Sequence, residues 1–265
     1  MVNKLAAGAV VVVTGAGSGI GRATAAAFAA GGATVICADV DGDAAEKTAA
    51  LCAERGGTGR AERCDVTDAA AVIALAGRTG PVDVLVNNAG VGMTGRFADM
   101  TVDDWRWIRS VNLDGVVHGC AAFGPGMVAR RSGQVVNVSS GLAYTMRATE
   151  AAYVTTKAAV LALSRCLRAD WAEYGVGVTA VCPGFVNTPL RNQVIGPDGK
   201  PWVDQPQPPF RIWSVEKCVD EVIRVIVKRR AHVSLPWWMK WLLRLDEIVD
   251  CWVGDYILLY KFPRL

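Results

Sequence analysis

Two hydrophobic rhythms alternate along the chain. Short apolar runs, bounded by glycine, proline or aspartate, fall at 9–15, 33–39, 82–90, 133–140, 176–184 and 231–236. A seventh, more polar, falls at 59–65. The first, "AVVVVTG", is unbroken valine between small residues, the pattern of a strand buried on both faces. The runs are separated by stretches with helical spacing. One, "GRATAAAFAAGG", stops at Gly31-Gly32. Another, "TVDDWRWIRSVNLDG", opens with Thr101 as N-cap and Asp104 three residues on, the spacing of a capping box. A third spans 151–175. Strands separated by helices imply parallel βαβ units. The expected fold is therefore a doubly wound α/β sheet of about seven parallel strands in one domain, residues 1–235. Residues 187–212 interrupt the rhythm with proline and glycine and read as a flap over the substrate.

After the last strand the pattern changes. "LPWWMKWLLRLDEIVDCWVGDYILLY" (235–260) holds four of the nine tryptophans, so its composition is unlike the rest of the chain. Apolar residues at 238, 241, 242, 245, 248, 249 and 252 draw one helical stripe, opened by Pro236. Lys240, Arg244, Asp246, Glu247, Asp250 and Asp255 interrupt any apolar run of about 18 residues, so a membrane span is excluded. Residues 236–265 thus read as an amphipathic C-terminal extension. Three settings fit it: cover for a substrate site, peripheral membrane contact through 236–260, or a contact between subunits.

Composition narrows the function. With 265 residues, 52% hydrophobic and 20% charged, the chain is large and apolar enough for a full core. A net charge of +3 gives no reason to expect nucleic acid. Eight cysteines include no Cys-x-x-Cys pair, and most sit in apolar surroundings. A reducing, cytoplasmic setting, with membrane-peripheral placement as a variant, is the expectation; the N-terminus shows no signal-peptide pattern. The two histidines, His118 and His232, are far apart in sequence, and no metal site is expected. His118 lies in the apolar "GVVHGCAAF" and reads as structural.

The chemistry begins at "VVVVTGAGSGIGRA". Gly15, Gly17, Gly19 and Gly21, with Ser18 and Ile20 between them, lie between a strand and a helix. That arrangement lets backbone approach a pyrophosphate and present helix N-terminal amides to it. Asp39 ends the second strand, where a carboxylate meets an adenosine ribose and repels a 2′-phosphate. NAD(H) is favoured over NADP(H). Tyr153 and Lys157 share a helix face, and the ammonium is expected to stabilise the phenolate. Ser140 ends a strand, placed to hydrogen-bond a carbonyl oxygen.

"TGAGSGIG" (14–21), "NNAG" (87–90), "VNLDG" (111–115), Ser140 with "YVTTK" (153–157), and "PGFVNT" (183–188) resemble, in order and spacing, the short-chain dehydrogenase/reductase family. The resemblance covers about residues 8–190 and implies a Rossmann-type fold. It implies a catalytic set of Asn112, Ser140, Tyr153 and Lys157. Tyr153 would move the proton, Lys157 would hold the nicotinamide ribose, Ser140 would orient the carbonyl, and Asn112 would kink its helix and hold a water. Asp65 and Val66 match the adenine-pocket pair. Asn87 would steady the sheet beside the cofactor segment Asn88, Ala89 and Gly90. Pro183, Gly184, Val186 and Thr188 would flank the nicotinamide. Family members pair through the helices carrying Asn112 and Tyr153, which implies a homodimer or homotetramer. Leu142, Tyr144, Met146, Trp202, Phe210, Ile212 and Trp213, near the expected site, favour a lipophilic secondary alcohol or ketone over a sugar. A 3-oxoacyl-thioester reductase is the alternative, disfavoured by Asp39 because such enzymes commonly use NADPH. A non-catalytic NAD-binding or membrane-peripheral protein is the other.

Overall fold

A computed structural model describes residues 7–144, 149–197, 199, 201 and 212–235. The expected amphipathic tail lies outside the described residues, as do Met146, Trp202 and Phe210. In chain order the elements are β1 (Val10–Thr14), α1 (Gly19–Ala29), β2 (Thr34–Asp39), α2 (Gly42–Glu54), β3 (Thr58–Arg63), α3 (Ala69–Thr79) and β4 (Val84–Asn87). Then come α4 (Val102–Arg109), a π-helical turn (Ser110–Asp114), α5 (Gly115–Arg130), β5 (Gly133–Val138), α6 (Ala151–Asp170) and β6 (Val176–Pro183). The short α7 (Pro189–Asn192), α8 (Val215–Val227) and β7 (His232–Leu235) complete the order.

The seven strands form one parallel sheet in the order β3-β2-β1-β4-β5-β6-β7. Every expected strand is present. β3, the polar one, lies at an edge with a partly exposed pattern, which is why its sequence lacks an apolar run. The order reverses between β1 and β4, and a crevice at the carboxyl end of such a reversal is where ligands bind.

Helices cover both faces. Phe28 of α1 and Val222, Ile223 and Ile226 of α8 bury one face with Val11, Val13, Val84 and Val136. Val72 and Leu75 of α3, Phe123 and Met127 of α5, and Val160 of α6 bury the other with Val12, Leu85, Val135 and Val178. Val11, Val12 and Val13 have no exposure at all, each burial contributing about 1.5–3 kcal/mol before entropy is counted. The alternation of faces along one unbroken valine run explains why β1 shows no polar period.

The helix expected from Thr101 starts as its pattern predicts. Thr101 Oγ1 accepts from the Asp104 amide (3.1 Å) and the Asp104 carboxylate accepts from the Thr101 amide (2.7 Å). Its continuation differs: five residues adopt π geometry before α5 begins. A π-turn spreads the backbone and re-aims side chains, and Asn112 falls inside this one.

Candidate active site

The glycine loop joins β1 to α1. Gly15 has φ +61°, and a Cβ there would lie 2.7 Å from Ala89 Cα. A Cβ on Gly21 would strike the Gly15 carbonyl and approach Asn88 Nδ2 to 2.5 Å, so α1 can sit this close only with glycine there. The helix N-cap, Ser18, makes no side-chain cap bond, and the first turn carries no acid. Its N-terminal amides therefore face outward with positive polarity and no internal anion. A Cβ on Gly19 would lie 3.3 Å from Thr188 Cβ, which places Thr188 over the loop.

Asp39 closes the loop from the side. One carboxylate oxygen accepts from the Gly17 amide (2.7 Å), the other from the Asp41 amide (3.0 Å). Each oxygen keeps a further lone pair for a hydroxyl. Arg22 hydrogen-bonds the Gly17 carbonyl and Thr48 Oγ1 (3.1 Å), and Thr48 donates to the Ala16 carbonyl (2.9 Å). Neither Arg22 nor Thr48 was expected from sequence. The available signal was Thr48, a hydroxyl on the otherwise apolar face of α2.

The segment after β4 is stapled to the same loop. Thr14 Oγ1 accepts from the amides of Asn88 (3.0 Å) and Ala89 (3.2 Å). Asn88 Nδ2 donates to the carbonyls of Thr14 and Gly15, both at 3.0 Å. Asn87 points the other way, into the core, and donates to Asn137 Oδ1 (2.8 Å); Asn137 in turn donates to Ser164 Oγ (3.0 Å). This buried line ties β4 to β5 and α6.

The catalytic candidates converge beside Gly90. A Cβ on Gly90 would lie 3.1 Å from Asn112 Oδ1 and 3.2 Å from Lys157 Nζ. Asn112 clamps Val91 at two points, accepting from its amide (2.8 Å) and donating to its carbonyl (3.0 Å). Lys157 is buried and its ammonium donates to the Val138 carbonyl (3.1 Å). Burial pushes it down to about 8, against a smaller opposing pull from Cys182. Ser139 Oγ donates to the Lys157 carbonyl (2.6 Å) and fixes α6 to the end of β5.

Tyr153 keeps part of its surface open, yet desolvation pushes its phenol up to about 12. A hydrogen bond from Ser140 opposes the rise, and Glu150 adds to it. This differs in direction from the depressed tyrosine expected from the Tyr-x-x-x-Lys spacing. The physical reason is distance and medium: Lys157 Nζ is 5.9 Å from the ring centroid and bonded elsewhere, while burial acts on the phenol directly. Ser140 is itself buried and accepts from the Leu142 amide (3.1 Å).

Pro183 ends β6, and the chain then passes through Gly184 and Val186 to Thr188. Val186 bridges to Trp213, with amide-to-carbonyl bonds from Asn187 to Trp213 and from Trp213 to Phe185, both 2.9 Å. Trp213 thus packs toward the sheet core and anchors the flap. Tyr144 likewise packs on Leu161, Ala180 and Cys182. Both rings are thus held in part by packing against the sheet. Further apolar surface beside Tyr153 comes from Met93, Ile108 and Ala152, with Val91, Met100, Trp105 and Ile195 against them. Ile195 arrives from the flap: its amide donates to Gly92 (3.2 Å), and the Thr94 amide donates back to it (3.0 Å). At the far end of the crevice Asp65 accepts from the amide and hydroxyl of Thr67, at 2.9 and 2.8 Å, and Val66 is buried.

Comparison with known proteins agrees with this geometry. Residues 9–197 match the family model described as short chain dehydrogenase, and the chain belongs to that family. "Probable oxidoreductase EphD" of Mycobacterium tuberculosis is 48% identical over 183 residues, 67% of this chain but 31% of the relative. The chain therefore spans about a third of that protein's length. The 2-keto-3-deoxy-L-fuconate dehydrogenase of Xanthomonas campestris is 41% identical over 192 residues, 71% of this chain and 62% of the relative. A crystal structure of a short chain dehydrogenase/reductase from Burkholderia phymatum in complex with NAD superposes with TM-score 0.81 at 29% identity, covering 98% of each chain.

Proposed function

We propose that the protein is an NAD(H)-dependent oxidoreductase that interconverts a hydrophobic secondary alcohol and its ketone. The observation that carries this reading is the convergence of Ser140, Tyr153, Lys157 and Asn112 beside Gly90, at the carboxyl edge of β4 and β5. The cradle fits a dinucleotide: the close approaches at Gly15 and Gly21 leave room only for backbone, and the α1 amides face it without an acid. The glycine loop, with Ser18, Gly19 and Ile20, would hold the pyrophosphate. Asp39 would hold the adenosine ribose, Asp65 and Val66 the adenine, and Lys157 the nicotinamide ribose. Asn88, Ala89 and Gly90 would form the floor, with Pro183, Gly184, Val186 and Thr188 around the nicotinamide. The Burkholderia relative's NAD complex supports the choice of cofactor. When bound, the nicotinamide supplies hydride transfer.

The chain's own residues supply the rest. Tyr153, protonated through the neutral range, donates its proton to the carbonyl oxygen in reduction and takes one back in oxidation. Ser140 hydrogen-bonds the same phenol and is placed to hold that oxygen. Asn112 has committed its side chain to Val91, so the carbonyls loosened by the π-turn are the groups left to hold a relay water. Met93, Val91 and Ile195 supply an apolar wall. This apolar wall favours an apolar substrate over a sugar acid, the substrate class in the Xanthomonas relative's name.

Two assembly features go with the reading. Phe97, Val102, Trp107 and Val117 are exposed apolar side chains on or just before α4 and α5, which supports pairing of subunits through these helices. Residues 236–265 form a second region, whose sequence follows Leu235 directly.

A screen of steroid, terpenoid, acyl and simple secondary alcohols, followed by NADH absorbance, tests the function. Apolar secondary alcohols should react with NAD in preference to NADP. Tyr153→Phe should lose at least about 100-fold in kcat while binding NAD. Preference for a sugar acid, preference for NADP, or an active Tyr153→Phe protein would each remove one part of the proposal.

A further inference from the structure

We infer that His118 is a positioning residue for the adenosine half of the cofactor site. The inference rests on the NAD reading above. Its starting point is the loop that leaves β3. The Cys64 amide donates to the Asp39 carbonyl (2.8 Å), and Asp65 turns back onto Thr67 (2.8 Å to the hydroxyl). The loop therefore continues the edge formed by Asp39 and the glycine loop. That edge crowns β3, β2 and β1, the half of the sheet on one side of the reversal in strand order.

The height of this loop is set by α5. A Cβ on Gly115 would lie 2.8 Å from Val66 Cγ2, so the loop rests directly on the first turn of the helix. One turn further, His118 Nδ1 lies 2.8 Å from the Val66 carbonyl oxygen. A carbonyl only accepts, so Nδ1 donates, and it carries hydrogen whether the ring is neutral or charged. Six residues earlier in the same helical run, Asn112 clamps Val91 by both of its backbone groups. The run from the π-turn into α5 thus holds one loop on each side of the crevice: Val66 after β3 and Val91 after β4. Asn112 serves the end where Tyr153 and Lys157 stand. His118 serves the opposite end, where nothing in the proton chemistry needs it.

The test measures NAD and 5′-AMP affinity by calorimetry, with steady-state kinetics alongside. His118→Leu and His118→Gln should weaken both ligands by about five- to tenfold, the scale of one lost hydrogen bond, and raise KM for NAD in parallel. The kcat at saturating NAD should stay within about twofold, because the reacting end is untouched. His118→Asn, whose amide nitrogen stands where Nδ1 does, should recover wild-type affinity within about twofold. The contrast between asparagine and glutamine decides the matter even if the leucine variant folds poorly. Variants that bind both ligands as wild type does, or an asparagine variant as weak as glutamine, would overturn the role of His118 alone. Wild-type protein that binds neither ligand would overturn the NAD reading, and this role with it.

Discussion

Lys157 has 3% of its surface exposed while its ammonium donates to the Val138 carbonyl, and the fold carries the cost of that burial at neutral pH. Burial places its folded-state pKa at about 8, below the ordinary 10.5. Between those values the unfolded chain holds a proton that the native chain has lost, so stability rises with pH; below about 8 the full penalty stands. The penalty is on the order of 3 kcal/mol. Above pH 9 the buried thiols of Cys120, Cys182 and Cys218, pushed up to about 12, 11 and 12, act in the opposite sense. The lysine is therefore visible between pH 8 and 9. Urea unfolding should show wild type gaining roughly 1 kcal/mol over that interval relative to Lys157→Met, which should also be inactive. Equal slopes for the two proteins would mean that Lys157 titrates normally. The placement of Tyr153 and Lys157 on one helix and of Ser140 just past a strand end was legible in the sequence because that spacing is local. The sign of the tyrosine shift was not, because burial is set by residues distant in the chain. Arg22 was missed for a related reason: its partner Thr48 lies on a different helix.

The strands were legible because a parallel sheet covered on both faces needs continuous apolar runs, and only edge strand β3 departs from that. The π-turn was not legible as geometry, since Ser110–Asp114 continues the helical spacing on either side; only the resemblance pointed to a kink at Asn112. The docking of the flap was equally hidden. Met93 and Ile195 meet by a bridge across a hundred residues of chain, and neither segment has strand character of its own. The seat is tight: a Cβ on Gly92 would lie 2.9 Å from Val194 Cγ2. Ile195→Pro removes the amide that donates to Gly92 while keeping an apolar side chain. It should raise KM for an apolar substrate by about tenfold and leave kcat for a small secondary alcohol within about twofold. A parallel loss on both substrates would show that the bridge supports the catalytic cluster itself and not the substrate wall.

At the scale of the whole molecule, parallel strands send every chemical feature to one edge, and β7 obeys the same rule. It pairs with β6 in a register that sets Leu235 opposite Pro183, so the described chain ends at the edge that carries the proposed nicotinamide site. No helix among the described residues is long and apolar enough to cross a membrane. The tryptophan-rich sequence that follows is thus rooted beside the site, and each of its three settings predicts a different loss. A protein ending at Leu235 should still unfold cooperatively and bind NAD, because both core faces and the glycine cradle lie upstream. If residues 236–265 cover the substrate, its KM for apolar alcohols should rise by about tenfold or more while small alcohols are unaffected, the scale of losing one buried aromatic wall. If they meet lipid, flotation with anionic vesicles should be lost at unchanged KM. If they join subunits, the mass by light scattering should fall. A truncated protein unchanged in KM, flotation and mass would leave that rooting without consequence for function.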